Sequence, residues 1–209
     1  MKKRKLINWL CLTGIISLIF YILHDVLGSI NYSGYNWTRH AVSDLTATDS
    51  PVYSISHSLS LVYGVFSCLC SLLVCILVKN EEKKTFRLGV YLFTTMNFIS
   101  AIGYSLFPLS SKGYDGSFQS FMHVYVITIL VVLLSIVSLI LISVGSFKSK
   151  KKLLGTFSLI ALLLMFLGAV GSANVPKSIF GIFERFSTYS AVVFTAILGI
   201  YGFNKIDNN

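Results

Sequence analysis

The run SFQSFMHVYVITILVVLLSIVSLILISVG, residues 117–145, decides the fold. It contains no Asp, Glu, Lys or Arg, and His123 is its one histidine. A helix needs about 20 apolar residues to cross the ~30 Å hydrocarbon core of a bilayer, whereas a strand of a membrane barrel takes ~10 alternating ones. The run is therefore a membrane helix. The same reading, carried outward in both directions, finds five more such segments, at 6–27, 51–78, 87–107, 153–172 and 182–203. The expected fold is all-α, a polytopic membrane bundle of six transmembrane helices. It forms one integral membrane domain over residues 1–209, with a long outer loop at 28–50.

Composition excludes the alternatives. Of the 209 residues, 55% are hydrophobic and 12% charged, with 3 prolines, and the mean hydropathy is +0.77. A water-soluble domain of this size could not cover so much apolar surface, and a disordered chain needs the opposite bias. The basic stretch Lys2, Lys3, Arg4 and Lys5 resembles the start of a secretory signal. The apolar run behind it is too long for one and has no small-residue cleavage site, so a retained helix is expected.

The net charge of +9 is unevenly placed. If both termini are cytoplasmic, the inner segments hold Lys2, Lys3, Arg4, Lys5, Lys79, Lys83, Lys84, Arg87, Lys148, Lys150, Lys151, Lys152 and Lys205. The outer segments hold only Arg39, Lys112, Lys177 and Arg185. Thirteen against four satisfies the positive-inside rule. The charge is thus a topology signal, with membrane lipids rather than nucleic acid as its partners. The expected location is the cell membrane. Cys11, Cys68, Cys70 and Cys75 all fall inside spans, where small apolar packing is their expected role.

Polar chemistry gathers at the outer side. His24, His40, His57 and His123 all lie there, as do Asp25, Asp44, Asp49, Asp115 and Glu184. Ionisable groups inside a membrane are costly and mark functional positions. Asp49 and Ser50 before Pro51 read as a helix start, which places His57 nearly two turns inside the second helix. Ser60, Gly64, Cys68 and Ser71 follow it on one face, and small residues at that spacing mark a helix–helix contact. His123 is about as deep if Ser117 caps the fourth helix. Glu184 leads a face with Thr188, Ala191 and Thr195, and Asn97, Ala101 and Tyr104 make a comparable stripe. His57, His123 and Glu184 are expected to converge, with Arg185, Asp44 and Tyr104 completing a binding pocket. Arg185 needs a carboxylate; Asp44 or Asp115 from an outer loop is the expected partner, with Asp44 in the long loop favoured. Thr38 is the expected cap of a short interfacial helix bearing His40, Ser43 and Asp44 on one face, although a single turn does not supply the relay geometry of a nucleophilic triad.

Several of these residues carry a family resemblance. Ser43-Asp44-Leu45, Pro51, Phe107-Pro108, Asp115-Gly116 with His123, and Gly181 to Glu184-Arg185 occur in an order that resembles the prokaryotic six-helix membrane proteins grouped as domain of unknown function 998. The resemblance covers nearly the whole chain and implies a six-helix membrane fold without an assigned activity. A more distant likeness is to the alkaline-ceramidase and progestin-receptor-like hydrolases, whose Ser, Asp and His residues surround a metal. This chain departs from them in having six spans rather than seven and no His-x-x-x-His near its C-terminus.

Two functions follow as expectations. One is a module that binds a lipid or partner in an outer-leaflet polar pocket, for transport, sensing or immunity. The other is a metal-dependent hydrolase acting on a lipid. In that case His24, Asp25, His57 and His123 would supply the ligands of a zinc ion, and Asp44 or Glu184 the general base. The topology has a direct check. Cysteine-accessibility labelling should find positions beside Asp49 and Asp115 outside the cell and those beside Lys83 and Lys151 inside, and reversed labelling at both pairs would overturn the orientation.

Overall fold

A computed structural model describes residues 4–205, and among these every regular element is helical. Helix α1 (Leu6–Leu10) is one turn long and leads into α2 (Thr13–Asn31). After a loop containing a 3-10 turn at Val42–Thr46 come α3 (Tyr53–Val78) and α4 (Lys84–Leu106). The next span combines α5 (Phe118–Phe121), a π-helical stretch (Met122–Thr128) and α6 (Ile129–Lys148). Helices α7 (Lys152–Asn174) and α8 (Phe180–Asn204) complete the chain.

Among the described residues five stretches are long and apolar enough to cross a bilayer: Leu6–Asn31, Tyr53–Val78, Phe118–Lys148, Lys152–Asn174 and Phe180–Asn204. The remaining long helix, α4, has 23 residues and so is about 35 Å long, but it carries Thr94, Thr95 and Asn97 in its middle. Two of these bond across the bundle, where Ser67 Oγ donates to Asn97 Oδ1 (2.8 Å) and Thr94 Oγ1 donates to the Ser71 carbonyl (3.1 Å), although Asn97 Nδ2 is buried without a partner among the described residues. This is the interhelical role expected of Asn97.

The helices close into a ring. α2 packs on α3, α3 on α4, α4 on α6, α6 on α7, α7 on α8, and α8 returns to α2 while also touching α3. The outside of the ring is apolar, with Val65, Leu133, Leu163 and Phe166 each more than half exposed. Its interior buries Ser17, Ser67, Ser71, Ser135, Ser138 and Ser158. That polarity is the reverse of a water-soluble domain and is the arrangement a lipid solvent selects, because small hydroxyls let helices approach and bond across. Ser17 Oγ donates to the Tyr63 carbonyl (3.0 Å) and Ser158 Oγ to that of Leu139 (2.9 Å). The chain is a multi-pass membrane bundle.

The first and last described residues lie at one end, the termini end, where Arg4 reaches the Phe203 carbonyl and Asn8 Nδ2 donates to the carbonyls of Gly202 (2.9 Å) and Lys205 (2.6 Å). Asn8 thereby takes up carbonyls that the end of α8 leaves without intrahelical partners. The main apolar core fills this half, around Phe86, Val90, Phe93, Met96, Leu139, Ile142, Phe194 and Leu198. The break between α1 and α2 has a local cause. The Cys11 carbonyl is packed against Gly199, where any side chain would collide with it, and accepts the Cys70 thiol at 3.3 Å. A smaller cluster of Tyr21, Val42, Leu45, Val52 and Val192 lies at the opposite, loop-bearing end.

The element ends correct the sequence reading in two places that matter. The first membrane helix runs on to Asn31 instead of stopping at 27, so Asp25 lies six residues inside it. Pro51 sits in a turn and α3 begins at Tyr53, because Ser50 Oγ accepts from Val52 N (3.4 Å) while Asp49 turns away to accept from Ser111 N (2.7 Å) and Ser111 Oγ (2.6 Å). Ser117 does cap the following helix, accepting from Ser120 N.

At the termini end Glu81 gathers three partners from two other segments: Lys151 (2.8 Å) before α7, and Lys205 and the Tyr201 hydroxyl (3.1 Å) at the end of α8. Burial raises the Glu81 carboxyl, but the two lysines outweigh it and hold the group at about 2. A carboxyl depressed on folding adds stability above its ordinary value of 4.5, and that stability is lost as pH falls toward about 2. In detergent, Glu81→Gln should lower stability by roughly 1–2 kcal/mol at neutral pH. It should also remove most of the acid-dependent loss between those two values, as read from melting temperature against pH.

Candidate functional site

The loop end is organised by Arg185, five residues inside α8. Its Nε and Nη2 donate to Asp25 Oδ2 (3.0 Å) and Oδ1 (2.7 Å), a two-pronged pair with both side chains about nine-tenths buried. Nη1 donates to the carbonyls of Trp37 (2.7 Å), His40 (3.0 Å) and Gly181 (3.1 Å), and Nη2 also reaches the Tyr35 hydroxyl (2.8 Å). Every N–H of the guanidinium is used. The planar fork is suited to this, because it can bind a carboxylate and still aim donors at backbone oxygens. Tyr189 OH adds a further bond to Asp25 Oδ2 (3.0 Å), and Tyr35 OH donates to the Ala41 carbonyl (2.7 Å). Gly181 allows the close approach: a Cβ there would collide with the Trp37 and His40 carbonyls, and Gly181 N donates to the Thr38 carbonyl (2.9 Å).

Arg185 therefore ties the long loop over the bundle, as expected, but its carboxylate is Asp25 and not Asp44. Arg185 and Asp25 sit at matching depths, about 8–9 Å from the ends of their helices at 1.5 Å per residue. Ending the first helix at 27 hid that match by placing Asp25 at the headgroups. Asp44 instead accepts from Ala41 N (3.0 Å) and closes its own 3-10 turn. Burial raises its carboxyl above the usual range, with the Ala41 N–H, His40 and Arg185 pulling it back. Thr38 does not cap this turn, which begins after Ala41. His40 Nδ1 accepts from Asn36 N (2.8 Å), so His40, Ser43 and Asp44 form no relay.

Glu184 projects about 100° away from its neighbour around the helix. Its Oε2 accepts from Val42 N (3.1 Å), holding the start of the 3-10 turn, while Oε1 accepts no hydrogen bond. The side chain is half-buried. Across the bundle, the Tyr104 ring lies 4.8 Å from that of His123. His123 Nδ1 meets the Phe107 carbonyl at 2.6 Å, a contact that requires an N–H on Nδ1 and leaves Nε2 as a lone-pair acceptor. Tyr104 OH donates to Thr128 Oγ1 (3.2 Å), and that hydroxyl donates to the His123 carbonyl (2.8 Å). The Thr128 bond spans the widened π turn, which Gly103 accommodates by leaving room for Ile127. π turns recur at functional sites, yet nothing in the amino-acid sequence announces this one.

The other candidate residues stand apart. His57 stacks on Tyr53, one turn before it, at 4.8 Å. His24 is 3% exposed, packs edge-on to Tyr21, and neither ring nitrogen has a hydrogen-bond partner. No hydrogen bond or ion pair among the described residues joins His57, His123 and Glu184. No group of three His, Cys, Asp or Glu residues among them could hold a metal. Of the four candidate zinc ligands, Asp25 is committed to Arg185, and His123 Nδ1 to a backbone carbonyl. Sequence reading missed Tyr35 and Tyr189. A signal for Asp25 existed, because it and Arg185 are opposite charges inside two apolar spans.

A family model described as a protein of unknown function (DUF998) matches residues 15–201. No curated protein and no solved structure matches the chain.

The Arg185–Asp25 pair makes a sharp prediction. Asp25→Asn leaves a buried cation without its counter-charge and should cost about 3–5 kcal/mol. Pairing Asp25→Leu with Arg185→Met should recover much of that stability. It should not recover slow hydrogen exchange over residues 35–44, because Trp37 and His40 would still lack their donor. Slow exchange in the double variant would show that the loop is held by something else.

Proposed function

The chain belongs to this family of unknown function, and from the geometry of its loop end we propose a multi-pass cell-membrane protein that binds a lipid or partner molecule in a polar pocket of the outer leaflet. Both termini are cytoplasmic in this reading, which rests on the thirteen-to-four division of basic residues. The observation that carries the pocket is a pair of unfilled acceptors at the loop end, one on Glu184 and one on His123. Glu184 Oε1 and His123 Nε2 take no hydrogen bond from the protein, although both side chains are half-buried in a membrane span. A polar group in that position costs free energy unless something donates to it. Arg185 does not compete for the ligand, since all of its donors are engaged by Asp25, Tyr35 and the loop. The pocket thus suits a ligand with hydrogen-bond donors, such as an amine or hydroxyl headgroup, while His57 is left to the rim.

Native mass spectrometry of the full chain, released from its own membrane in mild detergent, tests this reading. A lipid-sized adduct should accompany the wild type; Glu184→Gln should weaken it about tenfold or more, the size of a lost charge-assisted hydrogen bond, and His123→Phe about fivefold, the size of a lost neutral one. Wild-type protein without an adduct, or adducts indifferent to both substitutions, would overturn the proposal.

A further inference from the structure

At the termini end, far from the Arg185 strap, an open groove of about 410 Å³ lies between α4 and α6. Its lining is Lys84, Thr85, Arg87, Leu88, Tyr91 and Leu141. Lys84 begins α4, and Tyr91 lies seven residues further along; Leu141 lies seven residues before Lys148 ends α6. At 1.5 Å per residue the groove therefore runs about 10 Å from the helix ends toward the hydrocarbon level. Its mouth is basic and its floor aliphatic, with Leu88 50% exposed and Tyr91 38% exposed.

The two cations are uncompensated. Among the described residues Lys84 makes no ion pair, and Arg87 uses only Nη1, donating to the Lys79 carbonyl at 3.1 Å. The nearby Glu81 is taken by Lys151 and Lys205, and the exposed Glu82 is bonded to neither groove cation. The positive-inside rule explains why basic residues stand at this end. It does not explain a concavity in which two of them sit above an apolar floor at the depth where headgroup gives way to acyl chain.

We propose that this groove binds one anionic phospholipid. The phosphate lies between Lys84 and Arg87, hydroxyls of Thr85 and Tyr91 face the polar part, and an acyl chain runs along Leu88 and Leu141. Basic recesses between membrane helices are suited to anionic headgroups, and the volume falls in the usual range for a small-molecule site. A soluble phosphate would leave the aliphatic floor unused, and a zwitterionic lipid would gain less from two free cations. The inference is independent of the loop-end pocket, which lies at the other end of the bundle and offers acceptors instead of cations.

The test titrates the full chain in detergent with phosphatidylglycerol, phosphatidylcholine and soluble glycerol phosphate, counting bound molecules by native mass spectrometry. One phosphatidylglycerol should bind in preference to the other two. The double variant Lys84→Gln/Arg87→Gln should weaken it by on the order of ten- to thirtyfold, given about fivefold per basic side chain near an anionic surface. A control of equal charge at the same end, Lys150→Gln/Lys152→Gln, should change it by less than about twofold. Leu141→Trp, which fills the floor but keeps both cations, should also weaken it. Equal losses in the two double variants would reduce the effect to diffuse attraction and overturn the site. So would equal binding of phosphatidylcholine, or glycerol phosphate binding as tightly as the lipid.

Discussion

A guanidinium buried between the first and last membrane helices holds the loop end of this bundle together. Arg185 has more donors than one carboxylate can accept, and in a medium without water each donor must find an oxygen. Asp25 takes two, Tyr35 one, and the carbonyls of Gly181, Trp37 and His40 the rest. The same side chain therefore joins α2 to α8, closing the ring, and anchors the crossing loop. The Gly181 contacts and the turn at Val42–Thr46 follow from that placement. A lysine could not replace it, since a single ammonium cannot reach a carboxylate and three separated carbonyls together.

The two ends of the bundle solve different problems. At the termini end, large apolar side chains such as Phe86, Phe93 and Phe194 fill the ring, and glycines bring backbones together where Gly145 meets Phe86 and Gly199 meets Cys11. Charge there is confined to the rim, with Glu81 clamping three segments. At the loop end the packing is carried by tyrosines and hydrogen bonds, including a Tyr21 ring that touches both Tyr63 and Tyr189 edge-on. Packed aliphatic interiors tolerate little rearrangement, whereas polar networks with unfilled acceptors can exchange partners. The loop-end acceptors belong to the second kind and the groove between α4 and α6 to the boundary of the first.

His24 marks where the polar network is incomplete. It is buried beside Asp25, yet neither of its ring nitrogens is bonded, and Ser56 Oγ on the facing helix is in the same condition. Gly28, one turn beyond His24, is the point at which the two helices come close enough for Ser56 to touch it. The close approach excludes other protein donors from this part of the α2–α3 contact.

Sequence alone determined the membrane character, the six long helices, the caps at Ser117 and the interhelical bonding of Asn97, because hydrophobic length and small-residue spacing act locally. It also showed that Arg185 needed a carboxylate and would secure the long loop. Which carboxylate was a tertiary question: Asp25 and Asp44 are both acidic and near the right level, and only the continuation of α2 to Asn31 lowers Asp25 to the depth of Arg185. The partnership of Tyr104 with His123 likewise depends on a π turn whose extra residue comes from packing against Gly103 and from the Thr128 side chain. The groove between α4 and α6 depends on how those two helices lie against each other. Residue type and periodicity specify which groups are costly to bury; the relative depth and rotation of packed helices decide which of them meet.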